Sequence, residues 1–353
     1  MLSYTKLLGT FSIHMKKILL SLLIIAVLAL AVMSGNIFFP SDVEDSEPLT
    51  PRETPFDYYG WFAVDYDAPT PALERIRTYT NTAFAVTARQ TAILKEMDFT
   101  HIVYIFNVQE TLDQIVRDRN VAVPQMMIEY EGTQHESGVR DYAKGISNFR
   151  ETFFVSYRAK LLELKQSLER ADTLDAVDIF YLADEPALHR NVYLDQAFLN
   201  QIVTEFKMVF PDKKTVMIFA QNPDPAGNPF PGRGLHLSPP TSLDIVVVDP
   251  YIDPLKVSCE RSSVRDWLYN DNPYSNIAWA KKYGKPIIVA GDAQLRNGTP
   301  IDPCYHKAIF EILNADDIDG LIWFAYDKSY KEEKLSGAAN NPEFVHIIER
   351  LGI

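Results

Sequence analysis

Two adjacent carboxylates, Asp184 and Glu185, follow an unbroken apolar run at 179–183, and Pro186 comes directly after them. Such a run is typical of a strand that is buried on both faces. Proline cannot donate to a sheet ladder, so the strand ends there. In a parallel α/β barrel or open sheet, ligands bind at the carboxyl ends of the strands. We therefore expect the two carboxylates to meet a ligand and to be capable of acid–base chemistry.

The same residues also fit the start of a helix. Asp184 would be its N-cap, Pro186 would lie in its first turn, and the acids would interact favourably with the positive end of the helix dipole. The two interpretations are compatible. We favour the ligand site, because the other predicted strands end at the same place.

Most of the other predicted strands also end in a polar side chain, and aromatic residues lie near these ends. Carboxylates and amides hydrogen-bond sugar hydroxyls, and flat aromatic faces stack on the apolar side of pyranose rings. No basic cluster is present there, which disfavours phosphorylated substrates. The residues predicted to contact a carbohydrate are Asp65, Glu129, Gln221, Asp249, Tyr251, Trp323 and Tyr326.

Several of these residues have a structural alternative. Asp249 precedes a proline, and Asp-Pro pairs start turns readily. Trp323 could belong to the barrel core instead of the wall of a site. Asp65 and Glu129 could cap helices or form salt bridges in loops.

The elements that would position these residues alternate between strand and helix. Strands are predicted at 59–64, 101–106, 123–128, 179–183, 215–220, 243–248, 286–290 and 321–325, and helices at 82–97, 112–119, 143–170, 194–209, 276–283, 305–314 and 342–351. This alternation implies parallel strands joined by right-handed crossovers. Eight units fit a single-domain (β/α)8 TIM barrel. A doubly wound open sheet is the alternative, but no glycine-rich turn follows the first strand.

Two motifs resemble those of (β/α)8 glycoside hydrolases. The stretch 181–186, Tyr-Leu-Ala-Asp-Glu-Pro, resembles the strand-four motif of the large retaining clan, which is Asn-Glu-Pro, with Asp184 in place of the asparagine. The adjacent Asp-Glu pair is also similar to that of the substrate-assisted hexosaminidases. The stretch 320–327 resembles the last strand of chitinase-like barrels, where a tryptophan, here Trp323, floors the sugar site.

The resemblance implies roles for three carboxylates. Glu185 would be the general acid/base, which requires a raised pKa, and Asp184 would be its stabilising partner. The retaining clan carries a nucleophilic glutamate after strand seven, whereas this chain has Asp292 there. A separation of roughly 5–5.5 Å between the carboxylates would indicate retention, and one of roughly 6.5–9.5 Å inversion. A substrate 2-acetamido group oriented by Asp184 is the third possibility.

These features predict a glycosidase that acts on an oligo- or polysaccharide without a cofactor. No metal site is expected, because the seven histidines are scattered and His-x-His and His-Glu-x-x-His are absent. No Gly-x-Ser-x-Gly elbow occurs. The alternative is a degenerate barrel that binds carbohydrate without turnover, a reading favoured by the missing strand-seven glutamate. The sugar, the linkage and the oligomeric state are not indicated.

Composition and the first residues bear on location. The 353 residues are 47% hydrophobic, enough for a large core, and the net charge of −13 argues against a nucleic-acid partner. Residues 1–36 are predicted to be a signal peptide or membrane anchor, because two lysines precede an apolar run that could extend over 18–39. Residues 37–55 are predicted to be a disordered acidic linker, and 56–353 the barrel.

The protein is therefore expected to be exported, to the periplasm or the cell exterior, with a possible membrane tether through its first residues. The chain has two cysteines, Cys259 and Cys304. In an exported protein they could pair as a disulfide, and two unpaired thiols are the alternative.

Overall fold

The computed structural model describes residues 54–62, 70–108, 136–186, 196–219, 238–272, 276–292, 295–296, 299–300, 302–316, 318–324 and 335–336. Eight parallel strands form a closed barrel: β1 Tyr58–Trp61, β2 Thr82–Ala85, β3 His101–Ile105, β4 Val177–Ala183, β5 Lys214–Phe219, β6 Ile245–Val248, β7 Ile287–Asp292 and β10 Gly320–Phe324. A second, antiparallel sheet contains β8 Leu295–Arg296, β9 Thr299–Pro300 and β11 Leu335–Ser336. The prediction of a (β/α)8 barrel is confirmed.

Helices follow most of the barrel strands. They are α1 Pro71–Arg77, α2 Ala88–Glu96, α3 Glu136–Arg170, α4 Gln196–Val209, α5 Arg261–Asp266, α6 Ile277–Lys281 and α7 Pro303–Ala315, and a π-helical turn at Trp267–Asp271 extends α5. Thr70, Thr87, Asn276 and Asp302 start four of them by accepting a hydrogen bond from a backbone amide of the first turn. These side chains satisfy amides that a helix start leaves unpaired.

One of the predicted elements was wrong. The sequence predicted one helix over 82–97, but its first four residues form β2, which pairs with both β1 and β3. The apolar spacing of the short strand β2 continues into α2 without a break, so the sequence pattern predicts one helix over both elements. The strand predicted at 123–128 lies outside the described residues, and among those residues β3 pairs directly with β4 in the closed barrel.

Large aromatic side chains fill the layer between the strands and the helices. The Trp61 indole Nε1 donates to the Tyr79 hydroxyl over 3.1 Å, and the Trp323 Nε1 donates to the Tyr59 hydroxyl over the same distance. Gly291 lies beside Trp323 on the neighbouring strand, and a Cβ atom at Gly291 would stand 2.6 Å from the indole ring. Glycine is therefore required there for the tryptophan to fit.

A polar network lies at the amino-terminal ends of the barrel strands. His101 Nδ1 lies 2.8 Å from an Asp178 carboxylate oxygen, and Lys214 Nζ contacts the same oxygen at 3.5 Å and the Tyr58 hydroxyl at 3.1 Å. A cavity of about 590 Å³ opens beside this network. Three lysines line the cavity, and each of them bonds to backbone carbonyls or to protein side chains. In (β/α)8 barrels the active site lies at the opposite, carboxyl end and this end contributes to stability, so the network is structural.

Cys259 and Cys304 form a disulfide, with their Cα atoms 6.0 Å apart. It joins the segment after β6 to the first turn of α7. Both sulfurs are used in this bond, so the nearby carboxylate of Asp302 does not complete a metal site with them. Within the part of the chain that the structure describes, no helix has the length and apolar character needed to cross a bilayer.

Candidate active site

The end of β4 has an irregular backbone. The pairing of β4 with β5 shifts register between Tyr181 and Ala183, and such shifts re-aim the side chains that follow them. Glu185 then adopts φ = +41°, a left-handed conformation that is uncommon for a glutamate. Its amide donates to the carbonyl of Ile218 on β5 over 3.1 Å. Asp184 is exposed and Glu185 is half-buried. A strained residue at a strand end is typical of functional sites.

The Glu185 carboxyl group is hydrogen-bonded to that of Asp249, which follows β6 directly. Asp249 is only 5% exposed. Burial, the hydrogen bond to Glu185 and the charges of Glu185 and Asp184 together raise the pKa of Asp249 well above its usual value. Two carboxyls in contact cannot both ionise easily, so the pair retains a proton above the usual range of an aspartate.

The charges of four carboxyl groups act on the phenol of Tyr251. Burial raises its pKa well above the usual value, and so do the charges of Asp249, Asp292, Glu185 and Asp184. These acids come from the ends of β4, β6 and β7, which places all four at the carboxyl end of the barrel. The backbone of Tyr251 is restrained by Trp267, whose Nε1 donates to the Tyr251 carbonyl over 3.0 Å.

Asp292 is the last residue of β7 and is 2% exposed. It pairs in register with Phe324 of β10, just as the preceding Gly291 pairs with Trp323. Its backbone carbonyl lies 2.9 Å from Nε2 of His306, a buried residue of α7. The side chain that the sequence proposed as a nucleophile is thus buried at the carboxyl end of the barrel, and its charge acts on Tyr251.

An aromatic floor of five side chains lies at the same end of the barrel: Phe62, Phe84, Tyr181, Tyr251 and Phe324. Phe62 touches three of the others, with ring centroids 5.1 Å from Phe84, 5.3 Å from Phe324 and 6.3 Å from Tyr181. Tyr251 and Phe324 are stacked at 6.4 Å. Because β1 and β4 are not neighbours in the barrel, the contact between Phe62 and Tyr181 spans the lumen.

The predicted site residues divide into three groups. Asp184, Glu185, Asp249, Tyr251 and Asp292 come together as described. Asp65, Glu129, Gln221 and Tyr326 lie outside the described residues. Trp323 is 0% exposed and packs against Tyr59 and His306 on the outside of the barrel, so it belongs to the core and not to the site wall.

Sequence reasoning missed the inward-facing phenylalanines Phe62, Phe84 and Phe324. Phe324 is adjacent to Trp323, and successive residues of a strand point to opposite faces. In a strand that is apolar on both faces, composition does not show which of two neighbouring aromatics faces inward. The pairing of Phe324 with Asp292 supplies that information, and it exists only in the folded chain.

Comparison with known proteins gives matches to solved structures alone: no family model and no curated protein matches the chain. A glycoside hydrolase family 5 mannosidase from Rhizomucor miehei has a TM-score of 0.51 at 10% identity, over 86% of this chain and 93% of that one. The endo-1,4-beta-mannanase from the same organism also has a TM-score of 0.51 at 10% identity, over 86% and 98%. An endo-beta-1,4-mannanase from Thermotoga petrophila is 13% identical, with a TM-score of 0.47 over 83% and 69%.

The first two structures share their barrel fold with this chain. The resemblance to glycoside hydrolase (β/α)8 barrels that the two sequence motifs suggested is confirmed at the level of the fold. An identity of 10% carries no information on substrate or on the role of single residues. Fold alone does not determine function, so the chemistry must be argued from the acids and the aromatic floor.

Proposed function

We propose that the protein is a glycoside hydrolase that acts on an oligo- or polysaccharide. The observation that carries the proposal is that the ends of β4, β6 and β7 bring four carboxyl groups within electrostatic range of Tyr251 at the carboxyl end of the barrel. The aromatic floor beside them offers flat rings to a pyranose, and the acids offer hydrogen bonds to its hydroxyls. The shared fold with a mannosidase and a mannanase adds support.

Glu185 is proposed as the general acid/base. It donates a proton to the glycosidic oxygen as the bond to the anomeric carbon breaks, and water supplies the hydroxyl group that ends on that carbon. Asp249 is proposed as the buried group that keeps a proton available to Glu185. The two carboxyls are in direct contact, which is closer than the roughly 5–5.5 Å between an acid and a nucleophile in retaining enzymes. Asp249 is therefore not proposed as the nucleophile.

Asp292 is proposed to act on the anomeric carbon, as a nucleophile or as the base that activates water. Asp184, which is exposed beside Glu185, is proposed to bind and orient the substrate. In a substrate that carries a 2-acetamido group, the acetamido oxygen would attack the anomeric carbon in place of Asp292. The anomeric configuration of the first product, measured by NMR, distinguishes inversion from the two retaining routes.

Export from the cytoplasm is also proposed, with residues 1–36 as signal or anchor. The disulfide between Cys259 and Cys304 supports it, since such bonds persist in oxidising compartments. Fractionation of cells that produce the full chain, with mass spectrometry of its first residue, tests both export and cleavage.

A carbohydrate-binding barrel without turnover is the second candidate. It is favoured by the aspartate at the end of β7, whose arm is shorter than that of the glutamate in the retaining clan. In this case the aromatic floor and the acids would bind sugar, and the hydrogen bond between Glu185 and Asp249 would be structural.

One experiment separates the two candidates. Purified protein is incubated with a panel of manno-, gluco-, xylo- and N-acetylhexosamine oligosaccharides, and products and binding are both measured. Glu185→Gln is compared with Glu163→Gln, the same change at an exposed position of α3. We expect Glu185→Gln alone to abolish hydrolysis while binding is retained. Binding without hydrolysis by the wild type would favour the second candidate.

A further inference from the structure

Three consecutive residues at the start of α7 each form a bond to the segments that carry the carboxyl groups of the site. Cys304 forms the disulfide with Cys259. The Tyr305 hydroxyl donates to the carbonyl of Val257 over 2.7 Å in the buried interior. The His306 Nε2 is 2.9 Å from the carbonyl of Asp292.

The partners of these bonds lie in the two segments that carry site residues. Val257 and Cys259 belong to the segment that leaves β6 at Asp249 and passes through Tyr251. Asp292 ends β7. The first turn of α7 therefore bridges two strand ends whose acids act electrostatically on the same phenol.

The helix start itself is well fixed. Asp302 caps it by accepting from the Cys304 amide over 2.9 Å. His306 is 1% exposed, and its ring packs on Trp323 with centroids 5.3 Å apart. Burial lowers the pKa of His306 to about 4. A carbonyl can only accept, so the neutral imidazole carries its proton on Nε2 and donates it to Asp292.

We propose that this turn of α7, residues 304–306, positions the acids, with His306 as a positioning residue for Asp292. The proposal rests on the proposed function. A hydrogen bond to the Asp292 carbonyl restrains the peptide that leaves β7, and the direction of the Asp292 carboxyl follows from that peptide. Misplacement of a reacting group by about 1 Å can cost on the order of 100-fold in rate.

The test compares two replacements of His306 that differ in one donor. His306→Gln keeps an N–H near the position of Nε2, whereas His306→Met has a similar length and no donor. We expect His306→Met to lower kcat by about 10- to 100-fold, with KM changed less than about twofold, and His306→Gln to recover most of the loss. The pH profile of kcat should shift in His306→Met alone. Thermal unfolding is measured for both variants.

The proposal is overturned if kcat of His306→Met equals that of the wild type. It is also overturned if kcat of both variants falls in proportion to their loss of stability, since the role would then be structural. Tyr305→Phe and the double variant Cys259→Ser/Cys304→Ser test the bonds to the other segment. Each should lower kcat without raising KM.

Failure of the proposed function is recognised separately, because it appears in the wild type as a lack of hydrolysis. In that case, amide hydrogen exchange without substrate tests whether residues 304–306 restrain the segments that carry the acids. We expect faster amide exchange at 249–260 in Tyr305→Phe and in the double cysteine variant, and faster exchange at the end of β7 in His306→Met. Unchanged exchange in all three would overturn the positioning as well.

Discussion

The carboxyl groups of Asp249 and Glu185 are hydrogen-bonded to each other, although the two residues follow different strands of the barrel, β6 and β4. The contact gives the site a carboxylic acid that stays protonated above its usual range. A buried acid paired with a more exposed one is a known way to keep a proton available at neutral pH. Several measurable consequences follow from this pair and its surroundings.

Asp249→Asn should remove the proton and keep the shape of the pair. The amide still donates to Glu185, but it cannot release a proton during turnover. We expect kcat to fall by about 10²- to 10⁴-fold, the usual contribution of proton transfer, because Glu185 loses the group that keeps a proton available to it. We expect the wild type to lose activity at high pH as Asp249 ionises. The residual activity of Asp249→Asn should not show this loss. Asp212→Asn, at an exposed position on the opposite end of the barrel, is the control.

The same acid should make stability depend on pH. The pKa of Asp249 is raised in the folded state, so the folded protein keeps a proton that the unfolded chain releases above about pH 3.9. Stability is therefore lost as pH rises from that value to the raised pKa. Urea unfolding at several pH values should show Asp249→Asn gaining on the wild type by up to about 1.4 kcal/mol per pH unit in this window. Parallel pH curves for the two proteins would contradict the assignment of the proton.

Neighbouring aromatics on β10 should behave differently. Phe324 lies in the aromatic floor, so Phe324→Ala should raise KM for an oligosaccharide by about 5- to 100-fold, the equivalent of 1–3 kcal/mol of lost ring contact. Trp323 is in the core, so Trp323→Phe should lower the free energy of unfolding by about 1–3 kcal/mol and leave KM unchanged. Kinetics and chemical unfolding of both variants check this. A raised KM in Trp323→Phe would show that the indole reaches the substrate after all.

The network at the opposite end of the barrel should matter for stability alone. The hydrogen bond from His101, assisted by the charge of Lys214, lowers the pKa of Asp178. The stabilisation is therefore present above the usual pKa of an aspartate and is lost as pH falls through the lowered value. Asp178→Asn should cost about 1–3 kcal/mol at neutral pH and leave kcat/KM unchanged. Urea unfolding and kinetics at pH 7 and pH 3.5 check both statements.

Much of the barrel could be predicted, since strands buried on both faces are long apolar runs. The runs at 179–183, 215–220, 243–248 and 286–290 all became barrel strands. β2 could not be recognised, because four residues of moderate apolarity merge with the spacing of α2. Its identity as a strand depends on its pairing with β1 and β3, a contact between distant parts of the chain.

The site was predictable as a set of residues and not as a set of contacts. Strand ends identify Asp184, Glu185, Asp249 and Asp292 as neighbours in space. The partner of Glu185 depends on which side chains cross the lumen and on the backbone of Glu185 itself. A register shift and a positive φ determine that geometry, and neither of them can be inferred from the residue types.

The left-handed backbone at Glu185 has an evolutionary consequence. A side chain other than glycine or asparagine in that conformation costs about 1–3 kcal/mol, so the most stable version of this protein does not have glutamate there. Drift under selection for stability alone would replace it with glycine. A lineage in which position 185 remains glutamate has been kept there by something other than foldability.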